Sequence, residues 1–520
     1  MNKPIRKVAA VLGVLLAAMF LNLNFVQVVK GSSYRDNAQN KRVLLNEYST
    51  PRGQIVVQGT AIATSKATND ELKYLRVYPD GPVYAPVTGF YSFIYGSPYG
   101  IENAENNVLA GTDRRLFGNQ LADILTGRNP RGGTVQLTLN NAAQQAAYAA
   151  MKGSNGKVRA GAVVALDPTT GAILAMVSTP SYDPSVVSSH NADAINAAYG
   201  KLIHDPTQPL LNRALNQTYP AGSTFKIITA AAALASNYTP TSTVQAPNAY
   251  WPLDPTDKNR CPASLDAACV ENFNGETCDP ATGGKTATLL FAFAKSCNTA
   301  FANLGVVLGG SALAAQAKAF GLDSPQLSTP LDVAGSTIGT SQDLADPAAL
   351  AQTSFGQRDV RVTPLQDAML ASAVADDGTL MKPYLVAQEL GPDLSTLSTT
   401  APTQLSQATS PAVAQQLQQM MEAVITAPEG TGGLANITDI PGVVVGGKTG
   451  TADTGLTSGS GAVPDAWYTG FALQNGNPKI AIAVLLENGG VNGDESAGGK
   501  AAAPVAKAVM EAYLKSIARD

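Results

Sequence analysis

The hydrophobic pattern changes period several times along the chain. Val8–Leu21 is uninterrupted apolar sequence; Asn22, Asn24 and Gln27 dilute the next stretch, which ends at Val29. Lys3, Arg6 and Lys7 precede it. A membrane span needs about 20 residues, so the full Val8–Val29 stretch suffices, and it shows no persuasive small-x-small cleavage site. The reading is an uncleaved signal anchor, with a cleaved signal as the alternative. Lys30, Arg35, Lys41 and Arg42 come soon after, so charge bias sets no orientation. Residues 30–150 read as extended, turn-rich sequence broken at Pro51-Arg52-Gly53, Asp80-Gly81-Pro82 and Tyr95–Gly100.

Beyond that region the alternation of Thr134–Leu139 predicts a strand, and Ala/Gln-rich Asn141–Met151 a helix. Ala162–Leu166 and Ala172–Val177 flank the turn Asp167-Pro-Thr-Thr-Gly171 and read as a β-hairpin. Helical patterns then dominate at Ile227–Ala235, Leu289–Lys295, Ala312–Phe320 and Ala412–Ile425. Strands return at Val443–Val445, Trp467–Leu473 and Ile480–Leu486, and Ala502–Ala518 closes as a helix. This order predicts an α+β domain whose sheet joins both ends of its sequence. Asn248–Gly284 reads as a polar insertion and Gly455–Ala462 as a Gly/Ser-rich loop. The division expected is 1–29 anchor, 30–150 an extended non-catalytic domain, and 151–520 the principal domain.

Composition then narrows the chemistry. Charged residues make up 14% and the net charge is −4, with no basic stripe, which argues against a nucleic-acid partner. Only His190 and His204 are present, in no metal-type spacing, so zinc chemistry and a histidine base are both disfavoured. Cys261, Cys269, Cys278 and Cys297 are the four cysteines and allow three connectivities that sequence does not rank. Sequential pairing closes the smallest loops and is the expectation.

Tyr219-Pro-Ala-Gly-Ser223-Thr-Phe-Lys226 precedes the apolar run Ile227–Ala235, so Ser223 should open a buried helix with Lys226 on the same face. A serine hydroxyl needs a nearby group to take its proton, and a desolvated lysine can be neutral enough to do so. Ser154-Asn-Gly-Lys157 matches the same spacing but sits in a Gly/Asn turn and reads as solvated loop. Ser296-Cys297-Asn298 is a Ser-x-Asn pattern; taken singly, Ser and Asn are also common helix caps, as in the second copy Ser189-His190-Asn191. Gly446-Gly447-Lys448-Thr449-Gly450-Thr451 comes after Val443–Val445 and offers a cation and two hydroxyls on a strand of small residues. Gly442–Thr449 formally fits the phosphate-loop pattern, but Val443–Val445 is strand-like and Gly450–Gly455 is a poor helix start.

The ordered set Ser-x-x-Lys, Ser-x-Asn, Lys-Thr-Gly is the signature of penicillin-binding proteins and serine β-lactamases. The chain resembles a class B penicillin-binding protein over nearly its whole length. Ala160–Pro184 resembles the entry strands of the transpeptidase domain, and Ser49–Ile55 the first motif of the non-catalytic pedestal. Glu271–Cys278 and Lys295–Phe301 are similar to the actinobacterial subgroup called penicillin-binding protein A. The resemblance implies D,D-transpeptidation of peptidoglycan stem peptides ending in D-Ala-D-Ala, with β-lactams as covalent inhibitors and no metal or organic cofactor. It implies Ser223 as nucleophile, Lys226 as base, Ser296 and Asn298 in proton relay and substrate holding, and Lys448 as electrostatic support. Thr449, Gly450 and Thr451 would bind substrate, and the backbone N–H groups of Ser223 and Thr451 would form the oxyanion hole. It further implies a single-pass membrane protein with an extracytoplasmic body, a role in division or wall elongation, and a SEDS-family membrane glycosyltransferase among its partners. A β-lactamase or β-lactam sensor shares the three motifs, and a wall-complex scaffold with little catalysis is the reading from a different class.

Overall fold

A computed structural model describes residues 3–518 except 31–47, 117, 119–122, 124, 126–130, 154–155, 255–257, 260, 263–267, 325–326, 328, 453–462 and 490–497. Ser154 and the Gly455–Ala462 loop therefore lie outside the described residues. Helix α1 (Lys3–Asn24) is continued by a π turn over Phe25–Val29, and none of the described side chains over Pro4–Gln27 is buried against the rest of the chain. Its length and apolar surface fit a single membrane span.

In chain order the strands of the two large sheets are β1 (Ile55–Val57), β2 (Thr60–Ala67), β3 (Tyr74–Val77), β4 (Thr134–Leu137), β5 (Gly161–Leu166) and β6 (Ile173–Thr179). They continue with β7 (Val386–Leu390), β8 (Thr396–Thr399), β9 (Val443–Ala452), β10 (Asp465–Gln474) and β11 (Asn477–Leu486). The main sheet has the order β9-β10-β11-β5-β6, all antiparallel, and joins early and late sequence as the strand pattern predicted. Strands β5 and β6 are buried at every residue, which requires cover on both faces. Helices α8 (Pro364–Ala375) and α10 (Ala503–Ile517) pack on this sheet, α10 together with α3 (Asn141–Ala150). All twelve residues of α8 are buried, and α9 (Pro411–Thr426) packs against both α8 and β9.

The second sheet has the order β8-β7-β4-β1-β2-β3. Its strands β7 and β8 come from the middle of the principal domain's sequence, so the two regions share a sheet, and one apolar core runs through both. Hairpin β7–β8 is mostly half-buried and weakly apolar, without the clean alternation that would have given a strand signal in the sequence. Asp80-Gly81-Pro82, which the sequence marks as a breaker, instead opens helix α2 (Gly81–Thr88): proline is tolerated in the first helical turn because its missing N–H would be unpaired there anyway. Cysteines pair sequentially, Cys261 with Cys269 and Cys278 with Cys297.

Candidate active site

Ser223 sits on a 3₁₀ turn, Gly222–Phe225, that feeds helix α5 (Lys226–Ala235). Side chains three apart eclipse in a 3₁₀ helix, so Ser223 and Lys226 face the same way. Gly222 has φ +54°, and a Cβ there would lie 2.8 Å from the Thr451 carbonyl oxygen. Only glycine combines that left-handed turn with so close an approach to β9. Gly450 makes the reciprocal approach, with an added Cβ 3.1 Å from Thr224 Cγ2 and 2.9 Å from Trp467 Cβ. The indole of Trp467 donates to the Pro220 carbonyl at 3.0 Å, tying β10 to the same turn.

Ser296 caps α6 (Leu289–Lys295) in the left-handed region, φ +67°, and Asn298 is the first residue of α7 (Asn298–Leu308). A left-handed L residue costs roughly 1–2 kcal/mol. Hydrogen bonds from the Ser296 and Cys297 amides to the Phe293 and Ala292 carbonyls hold it there. Cys297, between them, turns away into its bridge to Cys278. The chain reversal brings Ser296 and Asn298 together on Lys226. The copy Ser189-His190-Asn191 has no such role: Asn191 caps helix α4 (Ala192–His204), accepting from the Ala194 amide.

Lys226 Nζ lies 2.9 Å from Ser223 Oγ, 3.1 Å from Ser296 Oγ, 2.7 Å from the Ser296 carbonyl oxygen and 2.7 Å from Asn298 Oδ1. The Asn298 Nδ2 donates to the Glu271 carbonyl at 3.1 Å, which fixes Oδ1 toward the lysine. Two of the four partners can only accept. A neutral amine satisfies both with its two N–H bonds and keeps its lone pair for a serine hydroxyl. Burial, and then the neighbouring Lys448, push the Lys226 pKa well below that of an ordinary lysine. Lys448 Nζ donates to Ser296 Oγ at 2.8 Å and to the Thr449 carbonyl at 3.0 Å, and burial pushes it down to about 7.

Ser223, Lys226, Ser296, Asn298 and Lys448 thus form one connected network. Strand β9 runs unbroken from Val443 to Ala452 with no helix start, so the Gly442–Thr449 pattern is not a phosphate loop. On this strand Thr449 is buried and its hydroxyl shares a 2.6 Å hydrogen bond with Thr431, whereas Thr451 is half-exposed beside the nucleophile turn. Gly450 serves close packing between strand and turn. Three groups received no role from the sequence, although Asn272 and Phe301 lie in stretches that carry the family resemblance. Thr431 engages Thr449; Asn272 accepts from the Thr299 amide and so fixes the start of α7. Phe301, Phe355 and Phe293 stand 5.7–6.0 Å from the two amines and supply the apolar walls.

The sequence profile of the family described as "Penicillin binding protein transpeptidase domain" matches residues 161–511, and that of the "Penicillin binding protein A dimerisation domain" matches 52–135. A protein of Mycolicibacterium smegmatis named Peptidoglycan D,D-transpeptidase PbpA is 47% identical over 516 residues, 99% of each chain. Among solved structures, penicillin-binding protein A of Mycobacterium tuberculosis as a ceftriaxone acyl-enzyme superposes with a TM-score of 0.82 at 47% identity, over 90% of this chain and 100% of the other. Its penicillin G acyl-enzyme gives 0.80 at 46% identity, over 89% and 100%.

Proposed function

The chain belongs to the penicillin-binding protein transpeptidase family, and on that premise we propose that it is a peptidoglycan D,D-transpeptidase acting through an acyl-enzyme on Ser223. The observation that carries the assignment of roles is the 2.9 Å contact of Ser223 Oγ with the buried Lys226 amine, which also faces two groups that can only accept, the Ser296 carbonyl and Asn298 Oδ1. Lys226 takes the Ser223 proton as Oγ attacks the carbonyl carbon of the penultimate D-Ala. The C–N bond then breaks, and the proton returns from Lys226 through Ser296 to the departing D-Ala amine. An amine of a neighbouring stem next attacks the ester, restoring the serine and forming the cross-link; water in its place would give carboxypeptidase activity. Asn298 holds Lys226 and the substrate amide, and Lys448 as a cation steadies the Ser296 oxygen. Thr449 and Thr451 receive the substrate carboxylate, with Gly450 letting strand and turn meet. The N–H groups of Ser223 and Thr451 receive the oxyanion, where one donor is typically worth about 3 kcal/mol.

Among the described residues none of the groups bonded to Lys226 or Lys448 is a carboxylate, and a β-lactamase needs a base aimed at a hydrolytic water. Residues 1–29 serve as membrane anchor, 30–150 as pedestal and 151–520 as catalytic domain, with β7–β8 lent back to the pedestal sheet. Two bridged cysteine pairs support an extracytoplasmic body, since disulfides persist in oxidising compartments. The pedestal sheet above the anchor is the surface offered to a SEDS-family glycosyltransferase and other wall-synthesis proteins. A time course of fluorescent penicillin on the full chain in detergent tests the function. Stoichiometric labelling that lasts many minutes and vanishes in Ser223→Ala is expected; rapid drug turnover overturns the synthase reading, and no labelling of folded protein favours a scaffold.

A further inference from the structure

Where the pedestal meets the catalytic domain, a cavity of about 240 Å³ opens between the loop after α2 and the stretch Pro209–Asn216. Drug-sized ligands occupy pockets of about 300–1,000 Å³, so this one takes a single ring whose neighbours lie in solvent. Its seam is fixed: Asn212 Nδ2 donates to the Pro86 carbonyl at 3.0 Å, and Asn216 Nδ2 to the Asp332 carbonyl at 2.9 Å. Asn216 is followed by the segment that carries the nucleophile turn. At roughly 3.5 Å per residue the chain from Asn216 to Ser223 spans no more than about 25 Å.

The lining combines an apolar platform with unengaged polar groups. Tyr99 is 41% exposed and its ring is held edge-on against buried Phe90, 5.8 Å between centroids. Tyr182 is 7% exposed, yet its hydroxyl has no protein partner among the described residues. Burial pushes its phenol far above the ordinary tyrosine range, so it stays a proton donor. Asn103 and Asp332 are exposed at the rim, and no side-chain hydrogen bond holds either among the described residues. Asp332 is the one charged residue of the described lining, so a phosphate or carboxylate would meet no cation. A rigid aromatic face, a phenol, an amide and a carboxylate suit a neutral ring with one apolar face and several hydroxyls.

We propose that this cavity binds one N-acetylated amino-sugar ring of the glycan strand whose stem peptides reach Ser223, an inference that rests on the transpeptidase reading above. Binding here holds the strand beside the active site while the stems exchange in it. Titration of the full-length chain in detergent micelles with a tetramer of N-acetylglucosamine, followed by saturation-transfer NMR, tests the idea. Saturable binding is expected, unchanged in Ser223→Ala and weakened at least tenfold in Tyr99→Ala and in Asp332→Ala. Tyr182→Phe, which removes one hydroxyl only, should weaken it several-fold. All but Ser223→Ala should be labelled by fluorescent penicillin at the wild-type rate. A chain that labels normally but shows no saturable sugar binding, or binding indifferent to all three pocket substitutions, overturns the site and leaves the transpeptidase reading standing. Absence of Ser223 labelling in the wild type overturns both.

Discussion

In the pedestal, Arg52 and Arg76 are buried against one carboxylate, Glu102, and each guanidinium contacts it at 2.6 Å. In the catalytic domain Lys226 and Lys448 are buried as deeply, but their partners are hydroxyls, carbonyls and an amide. Burial alone would push Glu102 up; the charges of Arg76 and Arg52 override it and hold its carboxyl below the usual range. Arginine keeps its proton in any protein environment, so this cluster stays ionic and serves the fold. Burial without a counter-ion pushes a lysine toward its neutral form, which suits the second cluster to the base and relay roles proposed for it. Missing carboxylates make the difference between a structural and a chemical use of buried cations.

Substitutions can break that contrast from either side. Lys226→Arg keeps the charge but offers no neutral amine; the acylation rate with penicillin should fall by about 10²–10⁴, the usual contribution of a general base. Near-normal acylation would remove Lys226 from the mechanism. Glu102→Gln leaves two guanidinium groups buried without an anion, a loss of roughly 3–5 kcal/mol readable in denaturant midpoint, while the folded fraction labels at an unchanged rate.

Asp367 provides a third, intermediate case. It lies on α8, is fully buried, and neither carboxyl oxygen has a well-formed hydrogen bond among the described residues. Burial pushes it up to about 7, eased only by the nearby Thr224 hydroxyl. A raised folded-state value means that stability falls as pH rises from about 4, with the penalty complete above about 7. Asp367→Asn should therefore stabilise the chain by up to about 4 kcal/mol at pH 8 and leave it unchanged at about pH 3. Equal effects at both pH values would contradict the burial of an ionisable acid. The smallest effect concerns Lys448: acylation should decline as pH rises through about 7, where this cation loses its proton. Lys448→Arg should remove that limb from the pH profile whatever its absolute rate, since arginine does not titrate there.

How much of this was legible varies with the range of the interaction. Ser223 and Lys226 lie within one turn, so spacing alone placed them on one face. Ser296 and Asn298 were ambiguous, because the same residues cap helices, as Asn191 does. Helix α2 hid behind a proline read as a breaker, and β7–β8 behind a polar pattern. Thr431, Asn272 and the three phenylalanines act through contacts distant in sequence, so no local spacing gave them a role.

The sequence by itself determined the main-sheet strands, the closing helix, the apolar N-terminal segment, the α+β class and the three motifs, since periodicity and short spacing are local properties of the chain. Only the tertiary structure decided that the motifs converge on Lys226, which cysteines pair, and that one hairpin pairs with a strand some 250 residues earlier. It also decided which buried cations meet a carboxylate, because desolvation and the presence of a counter-ion are set by what packs around a side chain and by nothing in its immediate sequence.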